Sequence, residues 1–296
     1  MESDKKLFYG VATALITPFT ESGKLDLPAF RRLVALQCRS GVAALVVAGT
    51  TGEAPTLTEK EKILLLRAAK EEAGGAIPII MGAGANDTEK ACRLARLAEK
   101  EGADAILSVT PYYNKGTNAG LRLHYEKIAE KTSLPIILYN VPSRTGVSLS
   151  LDDYAHLFQK KGIVGVKEAE DNLEKEALLC ARFPSFSLYT GNDSHILSFL
   201  ALGGDGVISV LSNLFPKETA LLCRFVREER LSDARALYAR FLPLIRLLFK
   251  EPNPAPIKYA MAKMSLCKPV LRLPLTLPSP TLQKEIEEAL SVLYRT

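Results

Sequence analysis

Histidine and cysteine are scarce in this 296-residue chain, at three and five. Cys38, Cys92, Cys180, Cys223 and Cys267 are odd in number and far apart, with no Cys-x-x-Cys pair or Cys/His cluster. That spacing excludes a disulfide framework and a zinc site as first readings. His124, His156 and His195 all fall in stretches of helical pattern, which argues against histidine acid/base chemistry and metal-assisted hydrolysis. No run approaches the ~18–20 apolar residues that a membrane span requires. The opening Met1-Glu2-Ser3-Asp4-Lys5-Lys6 has no apolar leader core, so a reducing, cytoplasmic setting is the expectation. Charge of one sign is nearly missing as well. The excess is +5, from 38 Lys and Arg against 33 Asp and Glu, and Lys5-Lys6 is too short for a nucleic-acid arm. No nucleic-acid or membrane partner is expected, while a slightly basic surface suits anionic metabolites.

What the chain has is apolar material, 47% of its residues, enough for a sizeable core. Short β-rich apolar runs alternate with helical patterns. The runs are Gly10–Thr17, Ala44–Ala48, Ile77–Gly82, Ala105–Thr110, Ile136–Asn140, Ile163–Glu168, Ser187–Thr190 and Gly206–Val210. Between them, Asp26 with Pro28 opens a helix, and Thr58 with Glu61 forms a capping-box pattern that Asn86 with Glu89 repeats. Ser150 with Asp152, and Asn192 or Asp193, open others, and Gly41, Gly74, Gly102 and Gly162 stand where helices should stop. Ala44–Ala48 and Ile163–Val166 are apolar on both faces, as parallel strands covered by helices are. Eight β/α units over roughly 230 residues match a (β/α)8 TIM barrel. The doubly wound alternative would carry a Gly-x-Gly-x-x-Gly turn, and none occurs. From Leu231 the pattern is helical only, which predicts a barrel over residues 1–230 and a helical region over residues 231–296. That region reads as an appendage without chemistry of its own.

A barrel carries its chemistry at the C-terminal ends of its strands. Those ends supply one Lys, one Arg, hydroxyls and amides. Lys167 closes the apolar run Ile163–Val166. Burial penalises a charged amine, and a partly neutral amine is what attack on a ketone or aldehyde requires. The iminium that forms would acidify the adjacent carbon without a metal or other cofactor. Equally, Lys167 could snorkel to solvent or pair with Glu168. Tyr139 is either a rim aromatic or a proton carrier polarised by the hydroxyls of Thr50, Thr51 and Tyr113. Gly49-Thr50-Thr51-Gly52-Glu53 is either a turn or a loop whose N–H groups grip a carboxylate. Arg144 is either a carboxylate clamp or an exposed loop side chain.

Four stretches resemble the dihydrodipicolinate synthases in order and spacing. They are Gly49-Thr50-Thr51-Gly52-Glu53, Thr110-Pro111-Tyr112-Tyr113-Asn114, Tyr139-Asn140-Val141-Pro142-Ser143-Arg144-Thr145-Gly146 and Gly165-Val166-Lys167-Glu168-Ala169. The likeness continues through Gly191-Asn192-Asp193, Gly206-Val207-Ile208-Ser209 and Leu271-Arg272-Leu273-Pro274-Leu275, so it spans nearly the whole chain. The resemblance implies condensation of pyruvate with L-aspartate 4-semialdehyde on the route to diaminopimelate and lysine. By motif position, Lys167 would form the Schiff base and Tyr139 would shuttle protons. Thr51 would link Tyr139 to Tyr113, which this family inserts from a neighbouring subunit. Thr50 and Thr51 would hold the pyruvate carboxylate, with Ile208 flanking pyruvate. Arg144 would bind the aldehyde's carboxylate, and Gly191 would lie near that second substrate. A homo-oligomer follows, a dimer at least and commonly a tetramer.

N-acetylneuraminate lyases and 2-keto-3-deoxy sugar acid aldolases share the loop, the Tyr and the Lys, but Tyr112-Tyr113 and Pro142–Gly146 favour the synthases. A keto-acid-binding barrel without catalysis is the remaining alternative. Some members are inhibited by lysine through His and an acidic residue at the dimer interface. This chain has Glu59, Lys62 and Lys90 at those positions. A lysine there repels the ligand's ammonium, so weak or absent lysine inhibition is expected.

Overall fold

The computed structural model describes residues 6–295; residues 1–5, read above for a leader, and residue 296 lie outside the described residues. Eight strands follow one another: β1 Gly10–Ala14, β2 Ala44–Val47, β3 Ile79–Gly82, β4 Ala105–Val109, β5 Ile136–Asn140, β6 Ile163–Glu168, β7 Ser187–Thr190 and β8 Gly206–Ser209. Each pairs in parallel with the next, and β8 returns to β1, closing the barrel. Several strands stop one to three residues short of the apolar runs, because the last residues of each run bend away as the loop begins. Ala48, after β2, already has a positive φ of 51°.

The helices are α1 Leu27–Arg39, α2 Glu59–Ala73, α3 Thr88–Lys100, α4 Asn118–Ala129, α5 Pro142–Thr145, α6 Leu151–Leu157, α7 Leu173–Arg182, α8 Ile196–Ala201, α9 Pro216–Arg227, α10 Leu231–Leu248, α11 Ala255–Lys263 and α12 Pro280–Arg295. Asp26 caps α1, and the Thr58–Glu61 capping box starts α2 as expected. Asp87, not Asn86, caps α3, its carboxylate accepting from the N–H of Lys90. The Asn86 carbonyl instead accepts from the Asn114 side chain. Ser150 caps α6 with Asp153 reciprocating, where Asp152 was expected. Asn192 and Asp193 cap nothing: a short 3-10 turn precedes α8, and the Asp193 carboxylate accepts from the N–H groups of Val210 and Leu211. Asn172 caps α7, its side chain accepting from the N–H of Lys175.

Two apolar layers result. Ala12, Ala44, Ile80, Ala105, Ile137, Tyr139, Tyr189 and Ile208 fill the barrel interior, with Phe8 below them. Alternate strand residues pack outward against the helices in one large cluster. Phe241, Ile245 and Leu248 of α10, Ile257 and Met261 of α11, and Leu282 and Ile286 of α12 belong to that same outer cluster. Among the described residues, no helix is long and apolar enough to cross a membrane.

Candidate active site

Strand β6 owes its chemistry to a slip in register. Ile136 pairs with Ile163, but Ile137 pairs with Gly165, so Val164 is an extra residue. A bulge of this kind changes which residues face which side beyond it. Past it, Tyr139 pairs with Lys167 on the interior face, and Val166 packs outward with the helix-side core. Strict alternation from Val164 would have aimed Glu168 into the barrel and Lys167 out of it.

The Lys167 side chain is buried, at 5% exposure, and its Nζ lies 4.4 Å from the centroid of the Tyr139 ring. Among the described residues it makes no hydrogen bond or ion pair. It does not snorkel, and Glu168 is not its partner. Glu168 faces outward, accepting from Tyr154 Oη at 2.7 Å and Asn140 Nδ2 at 2.8 Å, with Lys175 Nζ at 3.3 Å. Burial raises the Glu168 pKa, against the opposing pull of Lys175 and these donors. Its Oε1 also accepts from the N–H groups of Ala169 and Glu170, which pins the chain just after Lys167. Gly191 makes room for the lysine: a Cβ there would lie 2.7 Å from Lys167 Cε and 2.7 Å from Ala169 Cβ. Asp193, fully buried, supplies negative charge near Lys167; burial raises its pKa and its Oδ1 has no hydrogen-bond partner.

Thr50, Tyr139 and Arg144 line one cavity of about 520 Å³ at the C-terminal mouth of the barrel. Among the described residues, the N–H groups of Thr50 and Thr51 donate to no protein carbonyl. Ile208 is fully buried in the interior cluster that contains Tyr139. Arg144 projects from α5, and its Nη2 donates to the carbonyl of Asn253 at 2.9 Å. The side chain of Asn253 donates in turn to Thr51 Oγ1 at 3.0 Å. Its own Oδ1 is buried without a partner. Asn253 therefore joins two expected site residues from a segment that promised no chemistry, between α10 and α11. No hydrogen bond links Thr51 to Tyr139 in this chain.

The same C-terminal region holds the Gly49–Glu53 loop. Lys258 of α11 and Glu53 form a fully buried pair, Nζ to Oε1 2.6 Å, and Lys258 also donates to the Thr17 carbonyl. Burial pulls the Lys258 ammonium below its ordinary pKa, with Glu53 opposing. Glu53 Oε2 accepts from the N–H of Arg272, whose guanidinium reaches Glu61. That contact holds the Glu61 carboxyl down at about 2. Glu53 has a positive φ of 57°, so these contacts fix a left-handed turn.

One expected residue is absent from this cluster. Tyr113 is 90% exposed with φ 73°, pointing away from its own chain's cavity, whereas Tyr112 lines it. A larger cavity of about 690 Å³ lies by the opposite mouth, lined by Tyr9, Arg39, Lys217, Arg224 and Arg227. Its basic side chains sit on the outer surface, remote from the reactive strand ends.

A model of the dihydrodipicolinate synthetase family matches residues 7–293. The chain belongs to the dihydrodipicolinate synthetase family. The 4-hydroxy-tetrahydrodipicolinate synthase of Thiobacillus denitrificans is 47% identical over 268 residues, 90% of each chain. Among solved structures, the 4-hydroxy-tetrahydrodipicolinate synthase of Methylacidiphilum fumariolicum SolV superposes with a TM-score of 0.95 at 40% identity, covering 97% of this chain and 96% of that one. The Cyanidioschyzon merolae enzyme, solved with lysine bound, gives a TM-score of 0.94 at 36% identity, covering 99% of this chain and all of that one. Within the dihydrodipicolinate synthetase family, this chain thus shares both the barrel and its C-terminal helices with solved members.

Proposed function

We propose that this chain catalyses the reaction of the 4-hydroxy-tetrahydrodipicolinate synthases, a lyase-class condensation of pyruvate with L-aspartate 4-semialdehyde. The observation that carries the mechanism is a lysine side chain buried in a barrel, without a hydrogen bond or ion pair among the described residues and lying over the face of Tyr139. Lys167 Nζ attacks the pyruvate ketone, water leaves, and an iminium forms. Loss of a methyl proton gives an enamine, whose carbon adds to the aldehyde. Ring closure by the second substrate's amine onto the imine carbon releases Lys167. Tyr139 carries protons in and out of these steps. The free N–H groups and hydroxyls of Thr50 and Thr51 hold the pyruvate carboxylate, Ile208 closes one side, and Gly191 leaves the space that the reacting carbon occupies. Arg144 meets the second carboxylate at the mouth.

Tyr113 completes the site from a neighbouring copy, which is the role its outward direction supports. The working form is accordingly a homo-oligomer, at least a dimer and in its full form a tetramer, acting in the cytoplasm. No cofactor enters the scheme. The barrel of residues 1–230 carries the reacting groups, and residues 231–296 brace them. Borohydride added with pyruvate should leave a stable adduct on Lys167, located by peptide mass mapping. An unmodified Lys167 after that treatment would remove the Schiff-base reading. Turnover of aspartate semialdehyde, and none of sialic acid, separates the synthase from its sugar-acid relatives.

A further inference from the structure

On the outer surface at the N-terminal end of the barrel, α1 and α9 flank the cavity of about 690 Å³, and its charge is nearly all of one sign. Arg39 of α1 and Lys217, Arg224 and Arg227 of α9 line it, against a single acid, Asp205. Asp205 is already engaged, by Lys6 Nζ at 2.9 Å and by the N–H of Leu188 at 2.7 Å. Among the described residues, none of the four cations forms an ion pair or a hydrogen bond. Arg227 lies over the Tyr9 ring, 4.6 Å from its centroid. Lys217, Arg224 and Arg227 recur at the spacing of a single helix face, while Thr219, Leu222 and Cys223 form the buried face of α9. Like charges so spaced repel. Arg39 ends α1, and Arg224 and Arg227 stand in the last turn of α9, where a helix end favours cations. That accounts for each arginine singly. It does not account for Lys217, in the first turn of α9, where the helix end disfavours a cation. Nor does it account for the hollow that the four share. Leu200, Leu221 and Val226 give that hollow an apolar wall. Its volume falls in the range of small-molecule sites, roughly 300–1,000 Å³.

We propose that this cavity binds a small organic polyphosphate, with two or more linked phosphate groups on an apolar or planar body, of the nucleoside polyphosphate class. The arginines and Lys217 take the phosphates, since a planar guanidinium meets phosphate oxygens in pairs. Leu200, Leu221 and Val226 take the body. Four clustered positive charges call for more than one anionic group, and the arriving ligand relieves their mutual repulsion. The site lies at the opposite end of the barrel from Lys167 and is independent of the reaction proposed above. Its occupant leaves turnover unchanged.

The test is isothermal titration of the full-length protein at low salt with adenosine triphosphate, inorganic pyrophosphate and citrate in turn. Adenosine triphosphate should bind below millimolar concentration, pyrophosphate more weakly for want of a body, and citrate more weakly still. Arg224→Ala and Lys217→Ala, both at exposed positions, should each weaken the nucleotide by about tenfold. Arg144→Met, at the other mouth, and Lys284→Ala, an exposed cation of α12, should leave its affinity as it was. No heat from the nucleotide at millimolar concentration, unchanged affinity in Arg224→Ala and Lys217→Ala, or loss of binding in Arg144→Met would overturn the proposal. Citrate binding as tightly as adenosine triphosphate would overturn the polyphosphate assignment.

Discussion

The two mouths of this barrel are built on opposite principles. At the N-terminal mouth, the polar groups packed around Phe8 and Tyr189 are partnered. Phe8 stacks on Tyr189 with ring centroids 4.0 Å apart and planes within 3°, and Tyr189 Oη bonds both the N–H and the carbonyl of Phe8. Lys6 meets Asp205 at 2.9 Å, and Asp205 also accepts from the Leu188 N–H. At the C-terminal mouth, by contrast, Lys167 and Lys62 make no hydrogen bonds among the described residues, and Asp193 and Asn253 each keep a buried oxygen without a partner. Unpaired buried polar groups cost free energy. Two of the four such side-chain atoms among the described residues thus stand beside Lys167 and Thr51, while those of Ser108 in β4 and His124 in α4 lie elsewhere.

The sharpest way to break this contrast is at Lys167. Lys167→Ala should abolish borohydride trapping and reduce turnover by several orders of magnitude, while the thermal midpoint stays or rises because a buried amine has been removed. A trapped adduct in that variant would place the chemistry elsewhere. Phe8→Ala should do the reverse, costing about 3–5 kcal/mol of stability by denaturant titration with kcat of the folded fraction unchanged. A fall in kcat would mean that the two mouths are coupled.

Asn253→Ala sits between these extremes. It removes the donor to Thr51 and should lower kcat/KM by up to about 10²-fold through misplacement, with Lys167 still trappable. Acid sharpens the comparison further. The Glu61 carboxyl, held by Arg272 at about 2 against an ordinary 4.5, contributes stability that is complete above pH 4.5 and lost as pH falls toward 2. Glu61→Gln should flatten the acid limb of a stability–pH curve over that window. The smallest effect is expected from lysine. Lys62 and Lys90 repel its ammonium, so a lysine titration should leave the rate unchanged, and strong sub-millimolar inhibition would contradict that charge argument.

Much of this was legible in the residues, for identifiable reasons. Parallel strands buried on both faces leave apolar runs that mark all eight positions, and Lys167 is conspicuous as the charge that ends one. Its direction was not legible. Only the extra residue Val164 turns Lys167 inward, and alternation alone aims it the other way. Asn253 was hidden because Pro252-Asn253-Pro254 reads as ordinary loop punctuation. Lys258, however, lies within Pro256-Ile257-Lys258-Tyr259-Ala260-Met261, a charge inside an apolar run, the same signal that singled out Lys167. Applied to the C-terminal helices, it points to a buried partner, and Glu53 is that partner. The pairing joins residues 205 positions apart, a distance no local pattern spans.

Tyr113 carries a consequence for mixtures of chains. On the role proposed for Tyr113, which is exposed in its own chain, damage would be shared out and repaired between molecules. A Lys167→Ala chain still lends a sound phenol, and a Tyr113→Phe chain still owns a sound amine. Each pure population should be crippled, yet a mixed pair assembles one complete site. Co-expressed in a single cell, the two defective copies should complement each other.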